Sequence, residues 1–139
     1  MKGGSIIPIL AHKRELSLLN AIKNNIRLDI YPDSHNFADG LLYLDDGESM
    51  DHLKGNNTLV SYVYLNSILT ATKLNPTNQY FEGAAKKKIE SVSIFGLERA
   101  PVAVRNLVSD INLEDTQLSY TEGTLVIIGL DFAVDDGLI

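Results

Sequence analysis

The sequence contains no cysteine and no tryptophan among its 139 residues. The absence of cysteine excludes disulfides, thiolate catalysis and zinc sites built on cysteine. No apolar run reaches the roughly 18 residues that a membrane-spanning helix needs, and residues 1–4 lack the basic and apolar regions of a signal peptide. We therefore expect no membrane as a partner.

Basic residues are also scarce. Twelve Lys and Arg stand against 18 Asp and Glu, which gives a formal net charge of −6. This field repels nucleic-acid phosphates, and the one basic run, residues 86–88, is too short to reverse it. Nucleic acid is therefore excluded as a partner, while 45% hydrophobic and 22% charged residues are typical of a globular chain.

Short apolar or alternating runs, rich in β-branched and aromatic residues and separated by Gly, Asn and Asp, dominate the chain. They predict an all-β fold of antiparallel β-sandwich modules. We expect Tyr62 and Tyr64, which share one strand face, to lie in the core or an interface, and the continuous apolar run 41–44 to be a buried strand. The predicted strands are 5–10, 26–31, 41–44, 58–66, 68–74, 88–95, 101–104, 117–120, 124–128 and 132–134.

Two segments bear on domain organisation. Residues 54–57, Lys-Gly-Asn-Asn, contain only glycine and polar residues, which is typical of a boundary. We therefore predict two modules, 1–54 and 55–139, and expect the first to be incomplete without upstream chain. Residues 13–23 carry Leu16, Leu19 and Ile22 at helical spacing, and an amphipathic helix and an extended loop remain alternatives there.

The densest polar cluster is the acidic segment 45–51, which begins Asp45-Asp46-Gly47. A calcium loop, a glycosidase carboxylate pair and simple turn chemistry compete for it. The ligand spacing of an EF-hand is absent, and Asp-Gly is typical of a tight turn. The cluster is therefore best interpreted as a structural turn.

Other chemical motifs are sparse. The histidines at 12, 35 and 52 have no metal-ligand spacing, and there is no nucleophile elbow or phosphate loop. We predict no catalytic residue, cofactor or metal ion. Asn56-Asn57-Thr58 is a glycosylation sequon in a predicted surface turn, and it makes Asn56 a candidate for a glycan.

Two longer motifs carry a family resemblance. The segment 3–8, Gly-Gly-Ser-Ile-Ile-Pro, is followed about thirty residues later by 38–49, Ala-Asp-Gly-Leu-Leu-Tyr-Leu-Asp-Asp-Gly-Glu-Ser. This pair resembles the C-terminal β-sandwich region of the α-glucosidases of glycoside hydrolase family 31. Residues 88–101 resemble the strand and turn of the last sandwich of that family more loosely.

The resemblance implies a retaining glycosidase whose two catalytic aspartates lie on a β/α barrel outside this chain. The Trp-containing nucleophile motif of the family cannot be present, because the chain lacks tryptophan. Residues Gly3, Gly4, Asp45, Asp46 and Gly47 are then expected to shape turns and the interface with the barrel. The family connection also favours a loop over 13–23, and the start at Met1 is expected to be a cut within a longer protein.

Within the family, the resemblance is nearest to the branch of the endoplasmic-reticulum enzyme glucosidase II, α-subunit, with the lysosomal, secreted and maltase-type enzymes as the alternative. This branch implies removal of glucose from N-glycans, a regulatory β-subunit as partner and a location in the secretory pathway. A free-standing carbohydrate-binding or adhesion sandwich is the alternative from another functional class, since sugar-binding surfaces use exposed aromatic rings.

Overall fold

The computed structural model describes residues 3–10, 25–44, 57–74, 87–107, 110–130 and 132–133. Their regular structure consists of strands and one short 3-10 helix, so the all-β prediction is confirmed. No helix of the described residues is long and apolar enough to cross a membrane. The strands are β1 (Ser5–Leu10), β2 (Ile26–Tyr31), β3 (Phe37–Leu44), β4 (Thr58–Leu65), β5 (Ile68–Lys73), β6 (Lys88–Ile94), β7 (Arg105–Asn106), β8 (Ile111–Asn112), β9 (Leu118–Thr121), β10 (Thr124–Ile127) and β11 (Phe132–Ala133), and the 3-10 helix is Asp115–Gln117.

Nine of these strands form one sheet in the order β5-β4-β3-β1-β2-β6-β10-β9, with β11 also paired to β6. The sheet is mixed, because β1 runs parallel to β3 and β2 runs parallel to β6, while the other pairs are antiparallel. The prediction of purely antiparallel modules is wrong at these two pairs. Both parallel pairs join strands that are not consecutive in the chain, and local turn signals carry no information about such pairing.

The core follows the two-residue period of the strands. On β4, Thr58, Val60, Tyr62 and Tyr64 are buried, and the residues between them are less buried. The prediction that Tyr62 and Tyr64 belong to the core is confirmed. Most of the other fully or nearly fully buried apolar side chains lie on β2, β6 and β10, namely Ile26, Leu28, Ile30, Ile89, Val92, Leu125 and Ile127, and β1, β3 and β5 add Ile6, Ala38 and Leu69.

The apolar run 41–44 is not a fully buried strand. Leu44 is buried, but Leu41 is 59% exposed and Tyr43 is 50% exposed. Strand β3 has one face on the core and one face outward. When both faces carry apolar residues, the sequence does not distinguish the buried residues from the exposed ones.

The predicted strand over 101–104 is also wrong, since these residues form no strand and the pairing begins at Arg105. Pro101 has no N–H to donate to a ladder, and Val102 is fully exposed, so of this segment only Val104 is buried in the core.

Two tight turns join consecutive strands at the gaps between predicted strands 58–66 and 68–74 and between 117–120 and 124–128. Asn66 and Ser67 join β4 to β5 with φ angles of 50° and 68°, and Glu122 and Gly123 join β9 to β10 with 49° and 81°. Positive φ at both central residues is the type I′ geometry, which matches the twist of the strands it connects.

The two sides of residue 54 meet in the sheet. Strands β3 and β4 pair from Phe37 opposite Leu65 to Leu44 opposite Thr58. The division into 1–54 and 55–139 stays a prediction. The segment 13–23 lies outside the described residues.

Candidate functional site

The two glycines that precede β1 lie against the turn between β2 and β3. Gly4 has a φ of +88°, its N–H donates to the Tyr31 carbonyl at 2.6 Å, and its carbonyl accepts from the Asp39 N–H at 3.2 Å. A Cβ on Gly3 would lie 3.1 Å from the Pro32 carbonyl oxygen. Gly3 and Gly4 therefore allow the chain to enter β1 between β2 and β3, and their part in a domain interface stays a prediction.

Asp33 closes the β2–β3 turn, a role that the sequence analysis missed. Its Oδ1 accepts hydrogen bonds from the backbone N–H of His35 at 2.8 Å and of Phe37 at 3.1 Å. These two bonds, the Phe37 bond first, lower the pKa of the Asp33 carboxyl, because they stabilise its charged form. The cluster Pro-Asp-Ser-His-Asn at 32–36 was the available signal, since Asp and Asn favour such turns.

Arg27 and Asp29 form an ion pair on the face of β2 opposite the core residues Leu28 and Ile30. Arg27 Nε lies 2.9 Å from Asp29 Oδ1, and Arg27 Nη2 donates to Oδ2 at 3.2 Å. Within the described residues Oδ1 accepts no hydrogen bond, so the ion pair compensates its burial. A carboxylate held in this way is a structural group.

The remaining predicted site residues are Asp45, Asp46, Gly47 and Asn56, and they lie outside the described residues. Among the part of the chain that the structure describes, no three His, Asp or Glu side chains gather into a group that could hold a metal ion.

A cavity of about 990 Å³ lies between the β4–β5 end of the sheet and strands β6 and β10. Its apolar walls come from the core faces of these strands, including Tyr64, Val92 and Leu125. Asp33 and Arg99 are among the charged residues that line it. The arrangement shows that the sheet curls over an interior that the described loops do not fill completely.

The side of strands β3, β4 and β5 that faces away from the core carries several apolar residues. We call it the outer face and define it by Phe37, Leu41, Tyr43, Leu59, Val63, Leu65 and Ile68. Leu41, Tyr43, Leu65 and Ile68 are between 46% and 59% exposed, and the other three are partly buried. Asp39, Ser61, Thr70 and Thr72 lie on the same side of these strands and interrupt the apolar residues, and Ile68 also lines the cavity. Exposed apolar residues in such a mixed setting are ordinary.

Comparison with known proteins finds glucoamylases and α-glucosidases among the relatives in sequence. No protein-family model matches the chain. The chain is 28% identical over 137 residues to glucoamylase 1 of Schwanniomyces occidentalis, 29% over 138 residues to an α-glucosidase of Schizosaccharomyces pombe, and 27% over 124 residues to neutral α-glucosidase C of Mus musculus. These matches cover 99%, 99% and 88% of this chain but 13% of each relative.

Solved structures share the fold. A glucosidase II α-subunit with bound α3-Glc2 matches with a TM-score of 0.76 at 17% identity, over 99% of this chain and 16% of that one. A heterodimeric complex of endoplasmic-reticulum glucosidase II with the binding domain of its regulatory subunit matches with 0.76 at 18% identity over the same shares. The α-1,4-glucan lyase of Gracilariopsis lemaneiformis matches with 0.61 at 17% identity, over 98% of this chain and 15% of that one.

The relatives in sequence are therefore glucosidases and glucoamylases, and the chain corresponds to a small part of each. Together the matches fit a C-terminal region of a family 31 α-glucosidase, and the resemblance seen in the two sequence motifs is confirmed.

Proposed function

We propose that the chain is the non-catalytic C-terminal region of a family 31 α-glucosidase, and that it supports the catalytic β/α barrel of the same polypeptide. The parent protein hydrolyses terminal α-linked glucose with retention of configuration. The observation that carries this proposal is the match of 99% of the chain to 13% of two longer glucoside-cleaving relatives.

Two of the described carboxylates, those of Asp29 and Asp33, support a role outside catalysis. A retaining glycosidase needs two carboxyl groups about 5 to 5.5 Å apart across the scissile bond, one of them as a nucleophile. Asp29 is bound by the Arg27 guanidinium, and Asp33 is bound by two turn N–H groups. Both acids are engaged in holding the backbone and a neighbouring side chain, and the reaction belongs to the barrel.

An aryl α-glucoside assay tests the division of labour. The longer protein should release the aryl group, and the 139-residue chain alone should not. Asp46→Asn in the longer protein should leave the nucleophile and acid in place, so it changes stability more than turnover number. Turnover by the 139-residue chain that Asp46→Asn abolishes would contradict the proposal, because it would make the acidic segment catalytic.

The reaction class can be separated from that of the structurally similar lyase. Hydrolysis adds water to the glycosyl carbon, whereas elimination by a lyase adds none. In water enriched in oxygen-18, the sugar released by the longer protein should carry the label at its anomeric oxygen. An unlabelled sugar product, after correction for exchange with solvent, would show that the chain belongs to a lyase.

The finer proposal places the parent with the glucosidase II α-subunit, trimming N-glycans in the endoplasmic reticulum beside a regulatory β-subunit. It is supported by the similarity of fold to that subunit, including the form solved with the binding domain of a regulatory subunit. Purification of the tagged longer protein from its own cells should recover a second subunit at equal molarity. Release of the protein into the medium without such a subunit would favour the secreted, maltase-type branch.

The sequon at Asn56 offers a separate test of the secretory route. Passage through the secretory pathway exposes the sequon to N-glycosylation before the chain folds. The longer protein should lose mass on treatment with an N-glycan-removing enzyme, and the peptide that contains Asn56 should account for part of the loss. Asn56→Gln should remove that part, while Asn57→Gln, which leaves the sequon intact, should retain it.

A further inference from the structure

Residues 98–103 form the longest run of exposed residues in the described part of the chain. All six of them, from Glu98 to Ala103, are exposed, and Val102 is fully so. None of them lies in a strand. We call this segment the exposed loop. It connects β6, which ends at Ile94, with β7, which begins at Arg105.

Hydrogen bonds anchor the exposed loop at its two ends. The N–H of Leu97 donates to the Gly123 carbonyl, and the N–H of Leu113 donates to the Val104 carbonyl, both at 2.8 Å. Within the described residues, no hydrogen bond or ion pair involves residues 98–103. Their backbone groups are therefore open to pairing with another protein, in the way that an extended peptide binds as an added strand.

The cavity of about 990 Å³ borders the exposed loop. All six residues of the loop line it, so the loop lies against open space instead of packed side chains. Open space does not provide the close contacts that hold a buried segment in place. The loop can therefore be drawn into the cleft of another protein without unpacking the core.

Arg99 is the described basic residue that another protein reaches most easily. The other basic residues of the described part lie in strands or are buried, and they are Arg27, Lys73, Lys87, Lys88 and Arg105. A peptide bond within a strand enters the cleft of a protease only after local unfolding, whereas an exposed loop is a preferred site of nicking.

We infer that the exposed loop is a site of proteolytic processing, at which an endoprotease of trypsin-like specificity cleaves after Arg99. A protease of this kind holds a basic side chain in an acidic pocket. The C–N bond between Arg99 and Ala100 breaks, and the Arg99 carbonyl carbon gains the oxygen of a water molecule. Both protons of that water end on the Ala100 nitrogen, so the products are a carboxylate and an ammonium group. The inference goes beyond the proposed function and does not depend on it.

The sheet should hold the two products together. The piece 1–99 retains β6, and the piece 100–139 retains β10 and β11, both of which pair with β6. Leu125 and Ile127 on β10 lie in the core at 3% and 1% exposure. Because the chain contains no cysteine, no disulfide joins the pieces, and the product is a noncovalent two-chain form.

Limited digestion with trypsin tests the inference. The 139-residue chain and the longer protein are digested at a low ratio of protease to protein, and the peptides are identified by mass spectrometry over time. The new amino terminus at Ala100 should form at least about tenfold faster than cleavage after Arg27 or Arg105, because those bonds require strands to open. Equal rates at the three positions, or an intact Arg99–Ala100 bond in the longer protein, would overturn the inference.

Substitutions at Arg99 test whether the basic side chain is recognised. Arg99→Gln should abolish cleavage of the loop, and Arg99→Lys should retain it. Arg105→Gln is the matched control and should leave the rate of cleavage after Arg99 unchanged. Cleavage of the loop in Arg99→Gln at the rate of the unmodified chain would overturn the specificity for a basic residue.

Gel filtration of the cleaved chain tests the two-chain form. The pieces 1–99 and 100–139 should elute together in buffer and separate in urea. Pieces that separate in buffer would show that the strand pairs of β6 with β10 and β11 do not hold them, and would overturn the two-chain form.

Discussion

Gly40 on β3 lies directly against the backbone of Ile6 on β1. An ideal Cβ at position 40 would be 2.9 Å from the Ile6 carbonyl carbon and closer still to its oxygen. Strands β1 and β3 are neighbours in the sheet, with Ser5 opposite Asp39. The glycine in the second sequence motif therefore has a physical reason, because a side chain there would push the first motif away.

Gly40→Ala should accordingly destabilise the chain. The methyl group meets backbone atoms that cannot rotate aside, and overpacking of this kind costs about 1 to 3 kcal/mol of the free energy of unfolding. Urea unfolding followed by circular dichroism measures the loss. Asp39→Ala, one residue away on the exposed face, is the matched control and should change the free energy of unfolding by less than about 0.5 kcal/mol.

The Arg27–Asp29 pair predicts an asymmetric pair of single variants. The Arg27 side chain is 47% exposed and the Asp29 side chain 9% exposed. Arg27→Ala leaves a buried carboxylate without its compensating charge, which should cost about 1 to 3 kcal/mol of the free energy of unfolding. Asp29→Ala leaves a guanidinium that water can reach, so it should cost less.

The double variant Arg27→Ala/Asp29→Ala separates this explanation from simple loss of contacts. If the unpaired charge causes the loss, removing Asp29 in the Arg27→Ala background should restore stability in denaturant unfolding. A double variant less stable than either single variant would show that packing by the Arg27 side chain dominates instead.

Tyr62 and Tyr64 share one face of β4 and were predictable as core residues for that reason, although Leu59, Val63 and Leu65 make the opposite face apolar as well. The same reasoning failed on β3, where Leu41 and Tyr43 are apolar on the outward side. The two-residue period identifies a buried face only when the other face is polar. An apolar outward face removes that contrast.

Long-range pairing and side-chain capping were harder to predict for a different reason. The parallel pairs β1–β3 and β2–β6 join strands that are separated by other elements, and no local turn specifies them. The role of Asp33, in contrast, could have been predicted from the local sequence alone. Its position in a Pro-Asp-Ser-His-Asn segment between two predicted strands was sufficient to propose a capped turn.

The β4–β5 turn offers a stabilising substitution. Ser67 has a φ of 68°, a left-handed conformation in which its Cβ is strained, and it follows Asn66. Ser67→Gly creates the Asn-Gly pair that type I′ turns favour, and it should raise the free energy of unfolding by about 1 kcal/mol. Ser61→Gly, within β4, is the control and should lower it, because glycine in a strand interior adds only flexibility. A loss of stability in Ser67→Gly would show that the hydroxyl makes a contact worth more than the strain.

The hydrogen bonds to Asp33 predict a dependence of stability on pH. Two turn N–H groups lower the pKa of this carboxyl in the folded chain below its ordinary value of 3.8. A depressed folded-state pKa contributes stability above the unfolded-state pKa, and that contribution is lost as the pH falls through the folded-state pKa. Asp33→Ala should therefore lower the urea midpoint of the chain at pH 6, and the difference from the unmodified chain should shrink below about pH 3.8. Ser34→Ala changes a residue of the same turn that has no carboxyl group, so this variant should retain the pH dependence of the unmodified chain. A difference between Asp33→Ala and the unmodified chain that stays constant from pH 6 to pH 2.5 would show that the carboxylate charge contributes nothing to the turn.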